Sequence, residues 1–180
     1  MNFSDFSKLD LNKKPQPLFD RVNGIEVKIT QELADKAKRI GKIRKENHKN
    51  HNKSDFNDKA DFIGLFGECI FATKYNLEVD WEIKLRDELD FIVGNNLIDV
   101  KSTEHSPYLS VKSNRLHKSY IYVYCVCRTN LNDGKIVGWL RGDDVLKLGN
   151  EVTENLKEPY WRVPFPKLNN ISGINFNLKL

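Results

Sequence analysis

The segment DELDFIVGNNLIDVKST, residues 87–103, holds three side chains that could do chemistry together: Asp90, Asp99 and Lys101. Two strand-like runs flank Gly94-Asn95-Asn96, so the segment reads as a β-hairpin. A two-residue turn at Gly94-Asn95, of the glycine-first type that favours II′, sets Val93 opposite Asn96 and Asp90 opposite Asp99. A turn at Asn95-Asn96 pairs Asp90 with Lys101 instead. Either even loop leaves Asp90, Asp99 and Lys101 on one face, because side chains alternate with period two; a three-residue loop does not. Phe91, Ile98 and Val100 fall on the other face and supply apolar packing. Two carboxylates and an ammonium gathered this way repel at one pair and attract at another, so alone they contribute little. A hard divalent cation resolves the conflict. Mg2+ takes oxygen ligands, keeps several waters and is usually held by one or two carboxylates plus a substrate phosphate.

The elements that must position these groups are legible upstream and downstream. Thr30 stands where an N-cap belongs, and Leu33, Ala37, Ile40 and Ile43 follow at helical spacing, which predicts a helix over about 30–47. The polar stretch NHKNHNKSDFND reads as a loop. A second helix is expected from Asp58 or Asp61 to Tyr75, with apolar residues around a wide arc and Asn76 as a left-handed cap. Gly64 and Gly67 inside it each cost about 1 kcal/mol relative to alanine, so something should pack close to that helix. From Val79 the pattern turns to short β-rich runs at about 79–85, 88–93, 96–102, 108–112, 120–127 and 135–141. YIYVYCVC reads as a central strand covered on both faces, and KIVGWL returns after the turn signal Asn132-Asp133-Gly134. Helix followed by sheet implies an α/β or α+β domain.

Asp90, then eight residues, then Asp99-Val100-Lys101 resembles the signature of the PD-(D/E)XK nuclease superfamily. GLFGECIFATKY resembles the Gly-x-x-Gly-Glu helix that contributes a further acid in many members, here Glu68. Gly64, Leu65, Phe71 and Ala72 surround that acid at helical neighbour positions. The resemblance covers about residues 58–141, and KIVGWL is similar to a strand common in compact members. Leu89 stands where the written motif has proline. The resemblance implies an α/β, restriction-endonuclease-like mixed β-sheet flanked by helices, with Asp90, Asp99 and the Val100 carbonyl as ligands to Mg2+, for which Mn2+ can substitute. It further implies Glu68 as a direct or water-mediated ligand, and Lys101 as the group that orients or activates water. DNA is the implied substrate.

Net charge is only +4, but eight Lys or Arg residues between Lys36 and Lys53 face the single acid Glu46. Such clustering is the footprint expected for a phosphate-backbone ligand, and it singles out Lys36, Lys38, Arg39, Lys42, Arg44 and Lys45 as nucleic-acid contacts. Lys112, Arg115, His117 and Lys118 in KSNRLHKS could bind phosphates or read bases. His48, His51 and Cys69 lack the paired spacing of a structural zinc site. Cys125 and Cys127 share a face of a buried strand as small hydrophobes. His105 reads as a solvated loop residue, and Trp139, Tyr160 and Trp161 as edge packing.

The length suits one domain, taken as residues 26–180 behind an extended arm over 1–25 that holds Pro15, Pro17 and Gly24. Three cysteines make no even-numbered disulfide framework, and neither a signal-peptide h-region nor a membrane-length apolar run is found, so a cytoplasmic location and no membrane partner are expected. Richness in Asn, Lys and Ile suggests an AT-rich genome, compatible with a phage. The reading is therefore a Mg2+-dependent deoxyribonuclease, expected to be an endonuclease, with DNA as partner and a homodimer left open. The alternative is a non-catalytic nucleic-acid-binding module, or an assembly subunit, on the same fold.

Overall fold

The computed structural model describes residues 16–50, 60–82, 89–153 and 158–173. A five-stranded mixed sheet runs in the order β1-β6-β5-β3-β2, built from Ile25–Lys28 (β1), Phe91–Val93 (β2), Asn96–Thr103 (β3), Tyr120–Arg128 (β5) and Asp133–Arg141 (β6). β3 and β5 are parallel, whereas the other pairs are antiparallel. The crossover between the parallel strands passes through Tyr108–Lys112 (β4), which joins Asn150–Val152 (β7) and Tyr160–Pro164 (β8) in a second sheet ordered β4-β8-β7.

β5 is the central strand that its β-branched and aromatic run demands, and its alternation separates two cores. Ile121, Val123, Cys125 and Cys127 face one way, onto Gln31–Asn50 (α2) and Ala60–Tyr75 (α3). Tyr122, Tyr124 and Val126 face the other, where Leu109, Val111 and Val163 of the second sheet cover them with Leu18–Arg21 (α1) and Gly142–Leu148 (α4). The fold class expected from the sequence, α/β with a mixed sheet flanked by helices, is what the chain adopts.

The Thr30 hydroxyl accepts from the Leu33 amide at 3.2 Å, capping α2. At the other end α2 runs on to Asn50, so His48 and its neighbours belong to the helix and not to the loop expected there. α3 ends on Asn76 at φ 53°, with the Leu77 amide bonded to the Ala72 carbonyl at 2.9 Å, as a left-handed cap requires.

Other expectations are corrected. The run at about 79–85 forms no strand over residues 79–82, and the rest of it lies outside the described residues. Val79 and Trp81 instead pack on the helix-side core, and Asp80 Oδ1 accepts from the Glu82 amide at 2.9 Å in a local turn. The strand expected over 88–93 is confined to Phe91–Val93. The arm does not extend to residue 25: Leu18, Phe19 and Val22 are buried in the second core, and β1 begins at Ile25. Three apolar residues in a short stretch with Pro17 are too few to show a period, which is why this part read as irregular.

Candidate active site

The hairpin between β2 and β3 has its turn at Gly94-Asn95. Gly94 takes φ 60° and Asn95 is not at positive φ, which makes the turn type II′ and sets Val93 against Asn96, Ile92 against Leu97 and Phe91 against Ile98. Extending the register puts Asp90 level with Asp99, and the Asp90 amide bonds the Ile98 carbonyl at 3.1 Å. Phe91, Val93, Ile98 and Val100 sink into the helix-side core. Asp99 and Lys101 therefore point to the opposite face, where Lys101 Nζ lies 2.6 Å from Asp99 Oδ1. Asp90 Oδ2 accepts from the Val100 amide at 2.6 Å, so the carboxylate is aimed across the hairpin by a backbone donor.

Glu68 comes from α3, which lies so close to β3 that a Cβ on Gly67 would run into the hydroxyl of Ser102. That is the close approach the helix glycines foreshadowed; Gly64, by contrast, has open space in front of it. Close seating brings Glu68 within electrostatic reach of Asp99, Lys101, Asp90, Arg44 and Asp80. Burial pushes the Glu68 carboxyl up to about 7; Arg44 and Lys101 pull against this, while Asp99 and Asp80 add to it. The Asp90 carboxyl also rises well above its ordinary value, chiefly through burial and then through the charges of Glu68 and Asp99. Lys101 and the Val100 amide oppose that rise. Burial alone would lower Lys101, but the adjoining Asp99 charge and hydrogen bond, with Asp90, carry it above its ordinary value. The four residues singled out from the sequence thus form one electrostatic unit in which half-buried carboxylates exceed the cations available to them.

Among the described residues no three His, Cys, Asp or Glu side chains are disposed to hold a metal ion as they stand. Asp99 is turned onto Lys101 and one Asp90 oxygen onto the Val100 amide. The donor set is nevertheless the all-oxygen kind that suits Mg2+ or Mn2+. Buried acids that also raise one another's pKa are a burden that a divalent cation would relieve. Glu68, Asp90, Asp99 and the Val100 carbonyl are the groups that would hold it.

No protein-family model matches the chain, and no solved structure matches it. Over 100 residues it is 29% identical to the symmetrical bis(5′-nucleosyl)-tetraphosphatase of Buchnera aphidicola subsp. Schizaphis graminum, a match covering 55% of this chain and 34% of that protein. The chain thus spans about a third of the length of this curated relative.

The basic residues of α2 do not form one stripe. Lys38, Arg39 and Lys42 are exposed, but Lys36 lies over the Trp81 ring at 4.3 Å, and Arg44 Nη2 donates to the Glu82 carbonyl at 3.0 Å. Arg44, expected as a DNA contact, faces the acid cluster from α2 as the main counter-charge to Glu68. Charge patterning cannot tell an outward cation from an inward one, and only the α2/α3 packing does. The Lys45 side chain and His51 lie outside the described residues. Lys112 pairs with Glu158, and Arg115 ends a 3-10 turn over Ser113–Arg115. His105 is solvent-exposed near Glu104. Trp139 donates to the Asn170 carbonyl at 3.1 Å and packs at an edge, as Trp161 does on the second core. All three cysteines are free and buried, with their thiols held protonated by burial. No helix among the described residues is long and apolar enough to cross a membrane.

Proposed function

We propose that this chain is a Mg2+-dependent nuclease of the PD-(D/E)XK type that hydrolyses phosphodiester bonds in DNA. The observation that carries the reading is the convergence of Asp90, Asp99 and Lys101 from the β2/β3 hairpin and Glu68 from a helix into one charge-coupled cluster. The likeness to a nucleosyl tetraphosphatase supports hydrolysis at phosphorus in general and does not by itself point to DNA.

A divalent cation bound here would neutralise charge on the attacked phosphate and lower the pKa of a bound water. The chain's own residues divide the remaining work. Lys101, anchored by Asp99, places an ammonium beside the carboxylates, where it orients water and stabilises charge that develops on phosphate oxygens. The Val100 amide fixes the direction of Asp90, and Arg44 offsets the Glu68 charge from the helix side. Exposed Lys38, Arg39 and Lys42 offer phosphate contacts along α2.

Purified protein incubated with supercoiled plasmid, with linear DNA and with a bis(5′-nucleosyl) tetraphosphate, each with Mg2+, Mn2+ or EDTA, tests the proposal. Metal-dependent nicking of closed circles is expected. Turnover of the tetraphosphate with intact plasmid would move the reading to the chemistry of the relative, and no turnover of any substrate would move it to a binding module.

A further inference from the structure

The acid cluster repels a polyanion, so substrate phosphates need cations held in place beside it. We propose that the turn over residues 115–118 is the phosphate-contacting rim of this site, and that Tyr122 is the positioning residue that holds it beside Asp99. This inference rests on the nucleic-acid reading above.

Tyr122 is fully buried on β5 and is the ladder partner of Asp99 on β3, so the two side chains leave the sheet on the same face as neighbours. Among the described residues its hydroxyl is hydrogen-bonded to backbone groups. It accepts from the His117 amide at 2.8 Å and donates to the Arg115 carbonyl at 3.2 Å, closing one turn onto the strand that adjoins the acids. Further contacts fix the same turn. The Tyr120 amide bonds the His117 carbonyl at 3.1 Å, and the His117 ring lies 4.6 Å from that of Tyr120. Gly142, at the start of α4, meets the His117 carbonyl so closely that a Cβ there would overlap it. On the upstream side the Ser113 amide bonds the Pro159 carbonyl at 2.9 Å, and its hydroxyl donates to Glu151 at 2.6 Å.

The charges are distributed accordingly. No Asp or Glu occurs from His105 to Asn132, a stretch holding Lys112, Arg115, Lys118 and Arg128. Lys112 is paired with Glu158, which Arg115 also reaches electrostatically, and Arg128 forks onto Asp133 at the far end of the strand. Arg115, half-buried, and Lys118, exposed, are the cations that the Tyr122-bound turn itself carries. A buried phenol that ties down the backbone between two cations, on the strand residue level with Asp99, is an arrangement for holding positive charge at a fixed place beside the acids.

The test is binding of a fluorescent DNA duplex across a salt series in Ca2+, with cleavage in Mg2+ and thermal melts measured on the same preparations. Arg115→Gln and Lys118→Gln should each weaken binding several-fold and reduce the slope of log affinity against log salt by about 0.9. Tyr122→Phe removes no charge, yet it should reduce the slope as well while leaving the Mn2+-induced rise in melting temperature unchanged. Wild-type slopes in both charge variants, or failure of the wild type to bind duplex, would overturn the assignment. If Tyr122→Phe folds and binds with the wild-type slope, its positioning role is overturned. Binding that responds as expected without any wild-type cleavage would support the rim and overturn only the hydrolytic reading.

Discussion

Asp90 and Val100 are joined across the open end of the β2/β3 hairpin: the Val100 amide donates to Asp90 Oδ2 at 2.6 Å. One residue thereby aims the carboxylate through its N–H, while its C=O remains as a further oxygen on the same strand. The bond favours the ionised form of Asp90, but it is outweighed by burial and by the neighbouring acids. The metal-free site is therefore held in shape by hydrogen bonds while being electrostatically unfavourable, and the following outcomes are expected.

Asp90→Asn should raise the melting temperature of the metal-free protein, because asparagine keeps an acceptor for the Val100 amide and removes an acid whose ionisation burial and the neighbouring acids oppose. The wild type should gain about 2.7 kcal/mol when Mg2+ or Mn2+ reaches 100 times its dissociation constant, and the variant should lose most of that response. Melts in EDTA and across a metal titration measure both. Equal metal-induced shifts would show that Asp90 holds no ion.

Metal-free stability should fall as pH rises from about 4.5 to 7. Glu68 has its ordinary value of 4.5 in the unfolded chain but about 7 in the fold, so between these limits the native state binds more protons and loses stability as they leave. Asp90 acts in the same direction. Glu68→Gln removes the Glu68 part, worth at most on the order of 3 kcal/mol. Chemical denaturation in EDTA should show the variant gaining on wild type across this window; a pH-independent difference would contradict the burial of Glu68.

Lys101→Met and Asp99→Asn should each reduce cleavage by about 10²-fold or more, with duplex affinity changed by no more than about twofold, because both act on developing charge. Gel assays of cleavage alongside anisotropy titrations separate the two effects. Cleavage near the wild-type rate in either variant would remove that residue from the active centre.

The two glycines of α3 should respond oppositely. Gly64→Ala, with open space ahead of its Cβ, should stabilise by up to about 1 kcal/mol through helix propensity. Gly67→Ala must push α3 from Ser102, should cost about 1–3 kcal/mol, and should lower activity further by displacing Glu68. Combining Gly67→Ala with Ser102→Gly should recover part of both losses. Equal effects at the two positions in urea denaturation would refute this account of the helix seating.

Local pattern by itself determined the hairpin, because a period of two and a glycine-first turn leave few registers. It also determined the face shared by Asp90, Asp99 and Lys101, the capped helix after Thr30, and the doubly covered strand at Tyr120–Arg128. These features depend on residues close in the chain. The sequence motif pointed to Glu68, but only packing decided which groups it meets, since Arg44 and Asp80 reach it from a helix and a turn distant in sequence. Lys36 and Arg44 read as two more cations in a basic run; the tertiary structure turned one onto Trp81 and the other toward the acid cluster. The same holds for Tyr122, which looked like one aromatic among several in YIYVYCVC. Its hydroxyl acquires a purpose only where a parallel neighbour sets it beside Asp99 and a returning turn closes on it. Side-chain alternation is a property of the local backbone, whereas the partner of a charge is set by long-range packing that no local period encodes.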